Sequence, residues 1–125
     1  MPAAPKSAQS RPGHGKPGRL KRRAEFLRVA GRGRKAPTAG LVLQALARDD
    51  DGPARLGFTV TRKVGNAVVR NRARRRLKEA ARLLLREAAP RGVDLVLIGR
   101  DATGRRAFAA LMDDLKRALD KVGVR

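Results

Sequence analysis

Apolar positions along this chain change their period several times, and each change marks an element. In residues 20–30, Leu20, Phe26, Leu27 and Val29 are set among Lys21, Arg22, Arg23 and Arg28, which predicts a short helix. Gly31, Gly33 and Pro37 break that pattern and leave room for an extra short strand before Thr38. Residues 38–48 are rich in Leu and Val with partial alternation, and read as a strand. Residues 49–53 carry the Asp, Gly and Pro of a turn. Residues 55–61 then alternate, with Leu56, Phe58 and Val60 on one side and Gly57, Thr59 and Thr61 on the other. Two strands joined by that turn predict a β-hairpin.

The longest periodic segment runs over residues 67–89, with Pro90 and Gly92 as its stop. Wound at about 100° per residue, it places Asn71, Arg74, Arg75, Lys78 and Arg82 within roughly a third of the circumference. Val69, Ala73, Leu77, Ala80, Leu84 and Ala88 fall opposite, so one face can dock on a core while the other presents cations. Residues 93–98 are a near-continuous apolar run of strand length, as expected for a strand covered on both faces. A last helix over residues 105–122 aligns Phe108, Leu111, Met112, Leu115, Leu119 and Val122, with Gly123 suited to its C-terminal cap. The order αββαβα predicts an α+β fold: a single small mixed sheet packed with three helices.

Composition adds a tail and a charge. Residues 1–18 hold four Pro and three Gly with little apolar beyond alanine, and read as a disordered basic tail ahead of one domain over residues 19–125. Arg11, His14 and Lys16 interrupt any signal-like apolar stretch, and no run approaches the length of a membrane span. With no cysteine, disulfides, thiolate zinc sites and cysteine nucleophiles are excluded. The chain reads as soluble and cytoplasmic, with nothing to mark an obligate protein partner. Its 31 Lys and Arg against 11 Asp and Glu give a formal net charge of +20, a balance suited to a polyanion.

Catalytic chemistry is sparse. The single histidine, His14, lies in the tail, so a histidine pair for RNA cleavage is unavailable. Asp49, Asp50 and Asp51 fit turn formation better than cation binding, and Asp113 and Asp114 beside Lys116 and Arg117 read as ordinary surface pairing. Gly31 and Gly33 lack the spacing and the trailing Lys-Ser/Thr of a phosphate loop. Binding chemistry is rich: residues 62–86 hold ten bases and one acid, and residues 16–35 hold nine and one. Of the three aromatics, Phe58 and Phe108 fit core positions, whereas Phe26 lies in a strongly basic helix where it could stack on a base or simply pack.

The segment RNRARRRLK at residues 70–78, preceded by GFTVTRKVGNAVV at residues 57–69, closely resembles the signature of the bacterial ribonuclease P protein subunit. The likeness extends back to RLKRRAEF at residues 19–26 and forward to DLVLIGR at residues 94–100. It implies a ribonucleoprotein in which an RNA subunit performs Mg²⁺-dependent hydrolysis at the 5′ end of precursor tRNA. On that reading the protein supplies no catalytic residue and binds no metal or cofactor by itself, and Mg²⁺ is expected for the RNA-containing holoenzyme. The resemblance makes Arg70, Asn71, Arg72, Arg74, Arg75 and Lys78 contacts to the RNA subunit. It lays Thr59, Thr61 and Lys63, with Arg62 beside them, along the strand of a cleft for the single-stranded 5′ leader, and makes Phe26 the aromatic of that cleft. It also implies a left-handed crossover from the second long strand through the basic helix to the strand at Val93. Family members often carry further aromatics where this chain has Ala30 and Gln44. From charge alone, two other classes stay open: a protein of the ribosome or its assembly that binds folded rRNA, and a duplex DNA binder with the basic helix in a major groove.

Overall fold

The computed structural model describes residues 17–86 and 90–124. Its elements run β1 (Gly18–Arg19), α1 (Arg23–Arg32), β2 (Arg34–Pro37), β3 (Leu41–Ala47), β4 (Arg55–Thr59), a short 3-10 turn (Arg62–Val64), α2 (Ala67–Leu85), β5 (Val93–Gly99) and α3 (Phe108–Lys121). The three helices, the long strands and the extra strand before Thr38 all form. Gly18, which composition assigns to the tail, pairs in β1, while residues 1–16 and the last predicted turn of α2 at residues 87–89 lie outside the described residues.

The five strands form one mixed sheet in the order β1-β4-β5-β3-β2. The hairpin expected from β3 and β4 is therefore absent. β5 lies between them, antiparallel to β3 over all seven residues and parallel to β4 over five. The reason is physical: β5 is the most apolar strand, and the centre of the sheet is where both its faces and both its edges are covered. The connection over residues 48–54 is long enough to step over one strand, roughly 10 Å at ordinary strand spacing. The hairpin that does form is β2–β3, with Ala36 opposite Leu43.

Strand alternation divides the sheet into two faces. Leu41, Leu43 and Ala45 of β3, Leu56 of β4, and Val93, Leu95 and Leu97 of β5 join Ala73, Leu77, Ala80, Ala81 and Leu85 of α2 and Leu111, Leu115 and Ala118 of α3 in the main core. Phe108, Met112 and Leu119 flank it, so the stripe expected on α3 is the one buried. Gly123 ends that helix at φ +79°, a left-handed conformation that favours glycine, and its N–H donates to the Asp120 carbonyl at 3.1 Å. Among the described residues, the opposite face carries only α1, over a small cluster of Leu20, Val29 and Val96.

Charged groups supplement that thin second layer. Asp94, 2% exposed within β5, accepts from Arg48 at 2.8 Å and from Arg55 at 2.9 and 2.8 Å. Arg55 also donates to Glu25 of α1 at 3.1 Å, and Glu25 accepts the Lys21 and Arg22 backbone N–H groups at 3.0 Å each. Arg48 also holds Asp50 in the turn. Asp114 departs from its expected surface role: it is 1% exposed on α3 and pairs with Arg106, whose Nη2 donates at 3.1 Å. Its helical position points it at the core, where Arg106, eight residues earlier, reaches it.

These pairs give stability an acid limb. Burial by itself would raise the Asp94 carboxyl, but hydrogen bonds from Arg55 and Arg48 outweigh it and hold the group below the ordinary 3.8. The Arg48 guanidinium and the Gly52 N–H hold Asp50 down at about 2. Both folded values are depressed, so their contribution is complete above the unfolded value near 4 and is lost as pH falls through the folded ones. Urea denaturation should show stability falling below about pH 4, with a shallower fall in Asp94→Asn. At pH 7 Asp94→Asn should cost about 3 kcal/mol, because two arginines then face a neutral amide. A loss of about 0.5 kcal/mol or less would mean that the network does not support the fold.

Candidate nucleic-acid interface

Helix α2 begins where Asn66 caps it, the side chain accepting the Val69 N–H at 3.0 Å. Its buried residues are Ala73, Leu77, Ala80, Ala81 and Leu85, which matches the expected docking side except at its start. Val68 and Val69 are 75% and 40% exposed, so the first turn of the helix projects past the core. On the outward side Asn71, Arg72 and Arg75 are exposed and Arg74 and Lys78 are half-buried, whereas Arg70 lies on the apolar side of the projecting first turn, half-buried, its Nε without a hydrogen-bond partner among the described residues. Asn71 accepts from Arg74 at 3.0 Å, which orients that guanidinium along the helix surface. Arg76 leaves the array: its guanidinium donates to the backbone carbonyls of Gly104 and Arg106 and lies 5.8 Å from the Phe108 ring centre. Its helical angle, close to the apolar side, accounts for this inward role.

A second feature is a groove of about 460 Å³ between α1 and the sheet. Phe26, Ala30 and Lys21 line it from the helix side, and Gln44, Thr59, Val96 and Ile98 from the strands. Of the two readings of Phe26, packing is the one present, with part of the ring left facing the groove. Its ring packs against the sheet at Gly57, where an added Cβ would fall 2.5 Å from Phe26 Cε2, and it also borders the groove. Glycine at position 57 is what admits the ring. Ala30 and Gln44, the two positions without the aromatics common in the family, both line this groove. The side chain of Gln44 is 7% exposed and hydrogen-bonds to no described residue.

The residues expected along the cleft strand divide. Thr59 closes β4 and lines the groove. Thr61, Arg62 and Lys63 lie beyond the strand, in and before the 3-10 turn, where all three are exposed. The strand stops because Val60 turns into the core and the chain must reverse towards α2. These three residues therefore bridge the groove and the start of α2. Lys21 and Arg23 border the groove too, and their place in a basic run next to Phe26 was the available signal for them. Phe58, expected in the core, is only partly buried there; it also edges the groove, with the Arg19 guanidinium 5.9 Å from its ring centre. A wider cavity of about 790 Å³ across α1 is lined by Arg48, Asp50, Arg55 and Asp94, whose charges are taken up by one another.

The arrangement thus combines a rigid cationic helix face with a shallow apolar and amide-floored groove, linked by a basic turn. Residues 15–123 match the family model described as Ribonuclease P. The ribonuclease P protein component of Gluconacetobacter diazotrophicus is 71% identical over 107 residues, covering 86% of this chain and 92% of that protein. The corresponding protein of Paramagnetospirillum magneticum is 51% identical over 109 residues, covering 84% and 82%. Among solved structures, the RNase P protein of Staphylococcus aureus superimposes with a TM-score of 0.72 at 25% identity, covering 87% of this chain and 98% of that one. That of Thermotoga maritima gives 0.68 at 29% identity, covering 79% and 92%. Sequence signature, sheet order and these likenesses agree: the chain belongs to the ribonuclease P protein family.

Proposed function

We propose that this chain acts in the cytoplasm as the protein subunit of ribonuclease P, assembling with a catalytic RNA and promoting removal of the 5′ leader from precursor tRNA. The observation that carries the reading is the division of α2 into a buried apolar side and an outward face bearing Asn71, Arg72, Arg74, Arg75 and Lys78, with Arg70 in the projecting first turn beside it. A rigid row of cations suits the phosphates of a folded RNA, and each phosphate neutralised releases counterions. The groove beside Phe26, with Thr59 on its floor and Lys21 and Arg23 at its rim, suits a single strand whose bases lie on an apolar surface while its backbone meets cations, and Thr61, Arg62 and Lys63 are exposed just beyond the strand. With Ala30 and Gln44 in place of rings, Phe26 supplies the only aromatic surface on the helix side, and the Gln44 amide offers hydrogen bonds instead.

Hydrolysis is left to the RNA. The carboxylates nearest the two surfaces, Glu25, Glu79 and Asp94, are each held by an arginine, so they fit a metal ion poorly. On this reading the Mg²⁺ of the reaction belongs with the RNA subunit. The protein's part is to hold that RNA and to add contacts that only the precursor can make, which favours the precursor over mature tRNA.

The direct test is cleavage of precursor tRNA at low Mg²⁺ by the protein, by a bacterial ribonuclease P RNA, and by both. Cleavage at the mature 5′ end by the mixture alone is expected; no enhancement by the protein would overturn the assignment. Replacing Arg70 and Arg74 together with Ala should reduce cleavage roughly 10- to 100-fold at low Mg²⁺, where repulsion between RNA segments is least screened, and far less at high Mg²⁺. The slope of log affinity against log salt should fall by about 2, one for each phosphate contact removed. Gly57→Ala should displace the Phe26 ring, cost about 1–3 kcal/mol of stability, and weaken precursor binding by the holoenzyme roughly fivefold relative to mature tRNA. An equal loss for both RNAs would separate the groove from leader binding.

A further inference from the structure

A second groove, of about 520 Å³, opens where the short β1 leaves the outer end of β4 uncovered beside α2. Its floor is apolar: Leu56 and Phe58 of β4 with Ala81 and Leu85 of α2. Its rim is cationic: Arg19 on one side, and Lys78, Arg82 and Arg86 along α2 on the other. Among the described residues no acid lines it, although Glu79 next to it holds Arg82 at 2.7 Å. The Arg19 guanidinium is suspended 5.9 Å from the centre of the Phe58 ring. Size and lining lie in the range of small-ligand sites, about 300–1,000 Å³ with an apolar interior and a few convergent polar groups.

We propose that this groove takes one unpaired nucleotide of the RNA subunit. The base would lie against Phe58, Leu56 and Leu85, and its phosphates would meet Arg19, Lys78 and Arg86. Three observations favour this occupant. An aromatic ring beside an apolar floor suits the face of a nucleobase, and the ring of cations suits the flanking backbone. Lys78 belongs both to this rim and to the outward row of α2, so an RNA lying along that row would run directly into the groove. The groove also lies on the α2 side of β4, whereas the groove beside Phe26 lies on the α1 side, and Phe58 at the strand's open edge borders both. The first is thereby left to the substrate leader and the second to the RNA subunit. This inference rests on the α2 face meeting the RNA subunit.

The test uses the full chain with ribonuclease P RNA alone and with precursor tRNA, comparing wild type, Phe58→Leu and Arg19→Ala. Phe58→Leu keeps an apolar side chain of similar size but removes the ring; Arg19 is exposed, so Arg19→Ala should fold even if Phe58→Leu does not. Expected for Phe58→Leu is roughly tenfold weaker binding of the RNA subunit with an unchanged salt slope, since no phosphate contact is lost. Arg19→Ala should weaken binding and lower the slope by about 1. Chemical probing of base reactivity in the saturated complex should show one nucleotide of the RNA subunit protected by wild type and reactive in both variants, with other protections kept. Identical reactivity patterns for all three proteins would overturn the proposal. So would a nucleotide that changes in the leader rather than in the RNA subunit. Failure of wild type to bind the RNA subunit at all is a different result, and removes the underlying functional reading as well.

Discussion

A buried carboxylate holds the functional half of this molecule together. Asp94 lies in the central strand, almost wholly removed from water, where an unpaired charge would cost several kcal/mol. Arg48 at the end of β3 and Arg55 at the start of β4 neutralise it from either side, and Arg55 extends the link to Glu25 in the first turn of α1. Without this chain of pairs α1 would have little to hold it. It contributes a single fully buried side chain, Val29, worth roughly 1.5–3 kcal/mol, whereas α2 contributes five buried residues to the main core. The groove beside Phe26 exists only while α1 lies across the sheet, and the ionic network reaches that helix at Glu25, next to Phe26.

Arginines in this chain fall into two populations with different physics. Arg48, Arg55, Arg76 and Arg106 turn inward and saturate carboxylates or carbonyls that would otherwise be buried without partners. They act as structural donors, and carboxylates offset the charge of Arg48, Arg55 and Arg106. Arg72, Arg74 and Arg75 face outward on α2, with Asn71 as their only side-chain partner among the described residues. Their mutual repulsion is tolerated because the buried side of the same helix anchors it. A rigid, uncompensated row of charge is what a polyanion can relieve.

Much of this was legible in the residues. Amphipathic period is local, and it identified α2 and α3 with their buried stripes, because burial of a helix side needs only residues three and four apart. The basic array on α2 followed from the same geometry, whereas the inward turn of Arg76 appeared only once its carbonyl partners on the 104–106 segment were in place. Asp114 escaped notice because charge in a sequence says nothing of what an arginine eight residues away will do. Phe58 read as simple core, since alternation assigns a side of the strand and not whether a neighbouring strand covers that side.

Strand order is where local reading ended. The turn at residues 49–53 suggested a hairpin, yet β5, some forty residues later in the chain, entered between β3 and β4. Nothing within those two strands encodes that insertion. It arises from competition for the centre of the sheet, which the most continuous apolar strand wins. The same insertion decides the site: it carries Asp94 between Arg48 and Arg55, puts Val96 and Ile98 on the groove floor, and sets the start of β4 where Arg55 can reach α1. The sequence by itself determined the elements, the cationic face and the family signature, all carried by neighbours along the chain. The tertiary structure alone decided the two grooves and the ionic network beneath them, because those depend on strands and helices distant in sequence meeting at one end of a sheet.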